Sequence, residues 1–156
     1  MGEEKEDHVT YWLTPVQSEK FRTAVAIIQI LVGQESIFAF GNRGTVKSSL
    51  KPDDKICFYA SRTGIVAHAR VVSVPERKQQ LTVDYQRYPW VVRLKHICLY
   101  LNNPVVIDDH LRKCSDAFHN REPDVPWSWF VQHTRRISTH DFRILTRHEA
   151  SSEHRQ

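Results

Sequence analysis

The chain has 156 residues, 26% of them charged, a formal net charge of +4 and three cysteines. That length suits one domain of ordinary size, and the 40% of hydrophobic residues supplies its core, which excludes collagen-like and disordered classes. The longest apolar stretch, Ala24–Val32, is broken by Gln29 and falls far short of the ~20 residues of a membrane span.

The start, MGEEKEDH, has the character of neither a signal peptide nor a transit peptide, so a soluble, cytoplasmic domain is expected. Residues 1–7 read as a disordered acidic tail, 8–148 as a single domain and 149–156 as a second disordered tail. His8–Thr14, rich in β-branched and aromatic residues and followed by Pro15, predicts a strand. Ser18 is placed to cap a helix over Glu19–Leu31, with Phe21, Val25, Ile28 and Leu31 at helical spacing and Gly33 as its stop. Phe38 and Phe40 lie on a run that ends at Gly41-Asn42-Arg43.

Lys51-Pro52-Asp53-Asp54 predicts a turn. Lys55–Ala60 then alternates, with Ile56, Phe58 and Ala60 on one face and Cys57, Tyr59 and Ser61 on the other. Across the Arg62-Thr63-Gly64 turn, Ile65–Val74 makes the second strand of an antiparallel hairpin. Tyr88–Leu101 reads as a long strand or a bent pair, and Val106–Phe118 as a short helix with Asp108 and Asp109 as capping residues. Arg121–Pro126 reads as a loop, Trp129–Ser138 as a strand, and Thr139 as the cap of a closing helix over Asp141–Arg147. Strands paired mainly by hairpins, with helices at the ends and one between, predict an α+β fold: a small, mainly antiparallel barrel with peripheral helices.

Charge is unevenly spread. Met1–Asp7 holds four acids against one lysine, −3, so the remainder carries +7. Arg43–Arg70 is locally +4 and Trp127–His148 locally +3, which suits a polyanionic partner such as nucleic acid. Catalytic patterns are missing: no phosphate-binding G-x-x-x-x-G-K-[ST] loop, no G-x-G-x-x-G, no G-x-S-x-G elbow, no H-E-x-x-H and no deaminase motif. No cofactor, metal or catalytic residue is therefore expected. Cys57, Cys98 and Cys114 form no C-x-x-C pair, and a structural role is expected for each.

The aromatic residues remain. Trp12, Phe38, Phe40, Tyr59 and Trp90 are followed by Trp127-Ser128-Trp129-Phe130, whose two indoles would share a face if the segment were a strand. Two such indoles can wall a slot for a flat ring, and base stacking on an aromatic contributes about 1–3 kcal/mol.

Ser49–Glu76 (SLKPDDKICFYASRTGIVAHARVVSVPE) resembles the central hairpin of the EVE domain family. Ile37–Arg43 (IFAFGNR), Tyr11-Trp12 and Trp127–Phe142 (WSWFVQHTRRISTHDF) are similar to its flanking segments, so the resemblance covers about residues 9–147. Asp53 stands where the family's turn usually has glycine. The resemblance implies a PUA-like pseudo-barrel, related to YTH and SRA domains, that binds a modified base flipped from DNA or RNA without performing chemistry. It implies base-pocket roles for Trp12, Thr14, Phe40, Asn42, Arg43, Tyr59, Ser61, Trp127 and Trp129, and phosphate contacts from Lys47, Arg62 and Arg135. The implied partners are DNA or RNA carrying a modified base, and a separate effector protein is compatible; no membrane partner is expected. Two other readings stand beside it: a protein-interaction module using the Trp127–Phe130 patch, and a nuclease or RNA-modifying enzyme on the same fold.

Overall fold

A computed structural model of the chain describes residues 9–41, 49–84, 86–119 and 127–147. Both expected tails and the Arg121–Pro126 loop lie outside the described residues. In chain order the strands are β1 (Tyr11–Val16), β2 (Ile37–Phe40), β3 (Lys55–Ala60), β4 (Gly64–Val71), β5 (Glu76–Arg77), β6 (Trp90–Leu99) and β7 (Arg135–Ile137). Among the described residues the α-helices include α1 (Ala24–Ile28), α2 (Asp109–Cys114) and α3 (Thr139–Leu145).

Among the described residues the strands form one sheet in the order β2-β6-β4-β3-β1-β7, with β5 also on β6. All pairings are antiparallel except β1 with β3. The fold class is the α+β class expected, and the β3–β4 hairpin pairs Lys55 with Arg70 through to Ala60 with Gly64. Its alternation separates two cores. Ile56, Phe58 and Ala60 join Trp12, Phe38, Phe40 and the apolar face of α1 on one side. Cys57 and Tyr59 join Leu13, Tyr100, Phe130, Phe142 and Leu145 on the other.

The sheet is strongly curled, and a simple distance shows it. β2 and β3 are three strand positions apart, which in a flat sheet would separate them by about 14 Å. Yet the rings of Phe38 and Phe58 have centroids 4.9 Å apart. The bend falls in β6, whose first half pairs with β2 and whose second half pairs with β4. There His96 has φ 51 and the β4 register slips between His68 and Arg70. The result is a half-barrel whose end strands, β2 on one side and β1 with β7 on the other, leave a seam between them.

Several elements differ from the sequence expectation. Pro15 does not stop the first strand; it lies inside β1. Lys55 and Ser61 donate to the carbonyls of Thr10 and Val16, so even-numbered residues of β1 bond to β3. Pro15 therefore turns its missing donor to the opposite edge, beyond the last β7 partner at Leu13. The first helix begins at Thr23, whose Oγ1 accepts from Ala26 N, and not at Ser18, because Glu19 and Arg22 close a bridged turn before it. Phe21 is consequently left 87% exposed.

Gly33 does not end that helix, which continues as a π-helical turn over Gln29–Gln34. A Cβ at Gly33 would sit 2.9 Å from Leu99 Cδ1, so the glycine permits close approach to β6. The Val106–Phe118 helix is shorter than expected, with Asp108 as its cap and a 3-10 turn at Asp116–Phe118. Trp129–Ser138 is not one strand: Ser128–Val131 is a 3-10 turn and only Arg135–Ile137 is extended. Ser138, rather than Thr139, caps α3, its hydroxyl accepting from Asp141 N while donating to Asp116.

Candidate nucleic-acid interface

The unclosed seam is a cleft of about 990 Å³. Trp12, Thr14 and Val16 of β1 form its floor, Phe38 and Phe40 of β2 one wall, and Gln132, His133 and Thr134 the other. Gly41, Arg87, Tyr88, Glu19 and Val83 also line it. This volume lies at the upper end of the range typical for small-ligand sites. Even numbering puts the three β1 residues on the first-core face, which is why they share the floor.

The floor is fixed by one buried carboxylate. Asp54 Oδ2 accepts from Trp12 Nε1 at 3.0 Å and from Lys51 N at 3.1 Å; Oδ1 accepts from Thr10 N at 3.1 Å and Lys51 Nζ at 2.8 Å. Asp54 is completely buried, so it anchors the indole at a set angle. The preceding residue, Asp53, has φ 78, the left-handed region where glycine is at ease and aspartate is tolerated. The turn thus has a glycine-type backbone conformation at an aspartate, and Asp53 pairs with Arg70. Thr14 and Thr134 join their hydroxyls at 2.7 Å, which ties β1 to the far wall. The Arg87 guanidinium lies 5.2 Å over the Tyr88 ring, and that of Arg136 5.5 Å over Trp12.

Of the residues singled out from sequence, Trp12, Thr14 and Phe40 meet in this cleft. Asn42, Arg43 and Lys47 lie outside the described residues. Tyr59 is half-buried against the second core, on the other side of the sheet. Ser61 and Arg62 follow β3 in its turn and border a separate hollow with Ser18 and Thr23. Trp127 and Trp129 also pack against the second core. Because their segment is a 3-10 turn, they do not form the same-facing wall expected of a strand. Trp129 rests on Phe118 at 5.2 Å, Phe130 is wholly buried, and the Arg135 guanidinium lies 4.9 Å over Trp129. Within Trp127–Phe130, Phe130 is buried, the two tryptophans are half-buried and Ser128 is exposed; Arg135 is half-buried.

Arg87, Tyr88, His133 and Thr134 were not singled out from sequence. Tyr88-Pro89-Trp90 was legible as the start of a strand, but only the curl of the sheet brings it to the seam.

The second core holds other polar groups. Burial pushes the Cys57 thiol far above its ordinary range, which keeps it protonated and unreactive. Burial first, and the neighbouring Cys57 next, push the Tyr100 phenol up as well; its hydroxyl lies 2.9 Å from His68 Nδ1. Asp116, His140 and Asp141 gather within 4.8 Å. Asp141 accepts from Ser115 Oγ, Asp116 N and Ala117 N, and His140 Nε2 donates to Cys114 O, so this cluster ties α2 to α3.

The fold and site together define a curled α+β half-barrel with an aromatic, hydrogen-bonding cleft at its seam. No protein-family model matches the chain, and no curated protein sequence matches it. Among solved structures it is similar to the Mmi1 YTH domain in complex with RNA, with 19% identity over 56% of this chain and a TM-score of 0.43. The chain spans 51%, about half, of that structure's length. It is also similar to protein Atu2648 from Agrobacterium tumefaciens, 14% identical over 88% of this chain and 91% of that one, TM-score 0.44. For Rpa0253 from Rhodopseudomonas palustris the values are 15%, 88%, 90% and 0.48.

Proposed function

We propose that this chain is a base-recognising domain of the EVE type, which takes a modified base of a nucleic acid into the seam cleft and performs no chemistry on it. The observation that carries the reading is the cleft itself. It is lined by the aromatic residues Trp12, Phe40 and Tyr88, the first two set deep in the core, together with Thr14, His133, Thr134 and Arg87. A flat heterocycle needs this combination: a π-surface for stacking and a few fixed polar groups for its edge. The EVE-like hairpin and C-terminal segments in the sequence support the same reading. Placing Trp12 by a buried ion–dipole anchor gives a preorganised slot, which reduces the ordering cost of binding.

The test is fluorescence anisotropy of labelled DNA and RNA oligonucleotides, single- and double-stranded, with unmodified, methylated or hydroxymethylated bases. The expected result is salt-sensitive binding that prefers one modification by about tenfold, or about 1.4 kcal/mol. Tyr88→Ala should abolish that preference. Equal binding of modified and unmodified probes by the wild-type chain would refute base recognition.

A further inference from the structure

Two large apolar side chains, each close in sequence to a residue that lines the cleft, are left exposed by the packing. Leu81 is 91% exposed and Phe21 87% exposed, the two most exposed of the large hydrophobic residues described. Single exposed apolar residues are ordinary, but these two are held in place. Gln80, itself buried, accepts from Thr82 N at 2.8 Å and Val83 N at 2.9 Å and donates to Val83 O at 2.7 Å, which locks the tip that presents Leu81. Thr82 Oγ1 is bonded to Glu35, and Arg22 donates to Thr82 O at 3.0 Å, which joins the Leu81 loop to the Phe21 turn.

The position of the pair matters more than its exposure. Val83 and Glu19 line the cleft, and Leu81 and Phe21 are each two residues away. Two residues reach at most about 7 Å, roughly two base steps of a stacked strand. Lys20, 5.6 Å over the Phe21 ring, and Arg22, bonded to Thr82 O, place cations at this turn and loop, and Arg87 lines the cleft; the acids are Glu19, which lines the cleft, and Glu35, bonded to Thr82.

We propose that Leu81, with Phe21 on the turn bonded to its loop, is a wedge that enters the base stack of a duplex at the gap left when the recognised base moves into the cleft. Extruding a base costs a few kcal/mol of unstacking, and an apolar side chain inserted at the vacated step recovers part of it. The inference rests on the cleft reading but concerns a different step: capture from a duplex, rather than recognition of the base once it is out.

The test uses a labelled twelve-nucleotide DNA with one 5-methylcytosine, as a single strand, as a matched duplex and as a duplex with a mismatch opposite the modified base. Leu81→Ala and the Phe21→Ala/Leu81→Ala pair are compared with wild type and with Tyr88→Ala. The expected result is an affinity loss of about tenfold for the matched duplex, with single-strand affinity held within about twofold. The mismatch should restore most of the loss, since an unpaired base is cheaper to extrude. An unchanged affinity of the double variant for the matched duplex would overturn the wedge and leave the patch to a protein partner. An equal loss on single strand and duplex would overturn it too. Tyr88→Ala separates the two levels: it should weaken every probe, and wild-type affinity in that variant would instead refute the cleft reading beneath the wedge.

Discussion

Asp54→Asn is the most informative perturbation of the cleft floor, because it keeps the side chain's shape and changes only its charge and hydrogen-bonding character. Each carboxylate oxygen accepts two bonds: Thr10 N and Lys51 Nζ on one, Trp12 Nε1 and Lys51 N on the other. An asparagine presents an NH₂ group to one of these pairs whichever way it turns, so two donors face a donor. Hydrogen bonds to a charged group contribute about 1.5–3 kcal/mol each, and Lys51 Nζ, 44% exposed as a side chain, recovers part of its loss by turning to water. The expected cost is about 3–4 kcal/mol. For a chain of this size that is a fall in Tm of roughly 6–16 °C. Urea unfolding followed by tryptophan emission measures it, and Trp12 should emit from a wetter environment in the folded variant. Lys51→Ala, which removes the ammonium but leaves the three backbone and indole N–H donors on the carboxylate, should cost less than Asp54→Asn. If Asp54→Asn unfolds within 1 kcal/mol of wild type, Asp54 does not anchor the indole and the account of a preorganised floor is wrong.

Two further outcomes concern stability. Unfolding releases a Cys57 thiol with an ordinary pKa of 9.0 and a Tyr100 phenol with one of 10.0, whereas the folded chain holds both protonated. The unfolded state thus loses protons first: stability is complete below pH 9 and falls as pH rises, by about 1.4 kcal/mol per pH unit for each group beyond its own value. Urea titrations at pH 8, 9.5 and 10.5 should show this slope, and Cys57→Ala should make it shallower; an identical slope in the variant would exclude Cys57 as its source. Gly64→Ala should cost about 2–4 kcal/mol, because Gly64 has φ 138 and a Cβ there would sit 2.5 Å from the Val105 carbonyl oxygen. Denaturant midpoints check it, and a change under 0.5 kcal/mol would contradict the geometry.

Local pattern made the β3–β4 hairpin legible, because six residues of strict alternation specify which side chains face which core. The same rule misled at Trp127-Ser128-Trp129-Phe130, where alternation of large residues also suits a 3-10 turn that packs Phe130 inward. Trp12 and Phe40 were legible as candidates from residue type, but their meeting was not. It depends on the curl at β6, and the Trp12–Asp54 and Thr14–Thr134 bonds join residues 42 and 120 positions apart. Glu19–Leu31 carried a plausible helical spacing, yet Thr23 outcompeted Ser18 as cap once Glu19 and Arg22 closed their own turn.

The most direct measurement of the central claim is a ¹⁵N–¹H spectrum of the protein titrated with the best-bound modified oligonucleotide. The account expects the Trp12 indole N–H and the amides of Phe40, Gly41 and Thr134 to move, while the Trp127 and Trp129 indoles, on the far side of the sheet, stay in place. Shifts gathered on Trp127 and Trp129, with Trp12 and Thr134 unmoved, would contradict it.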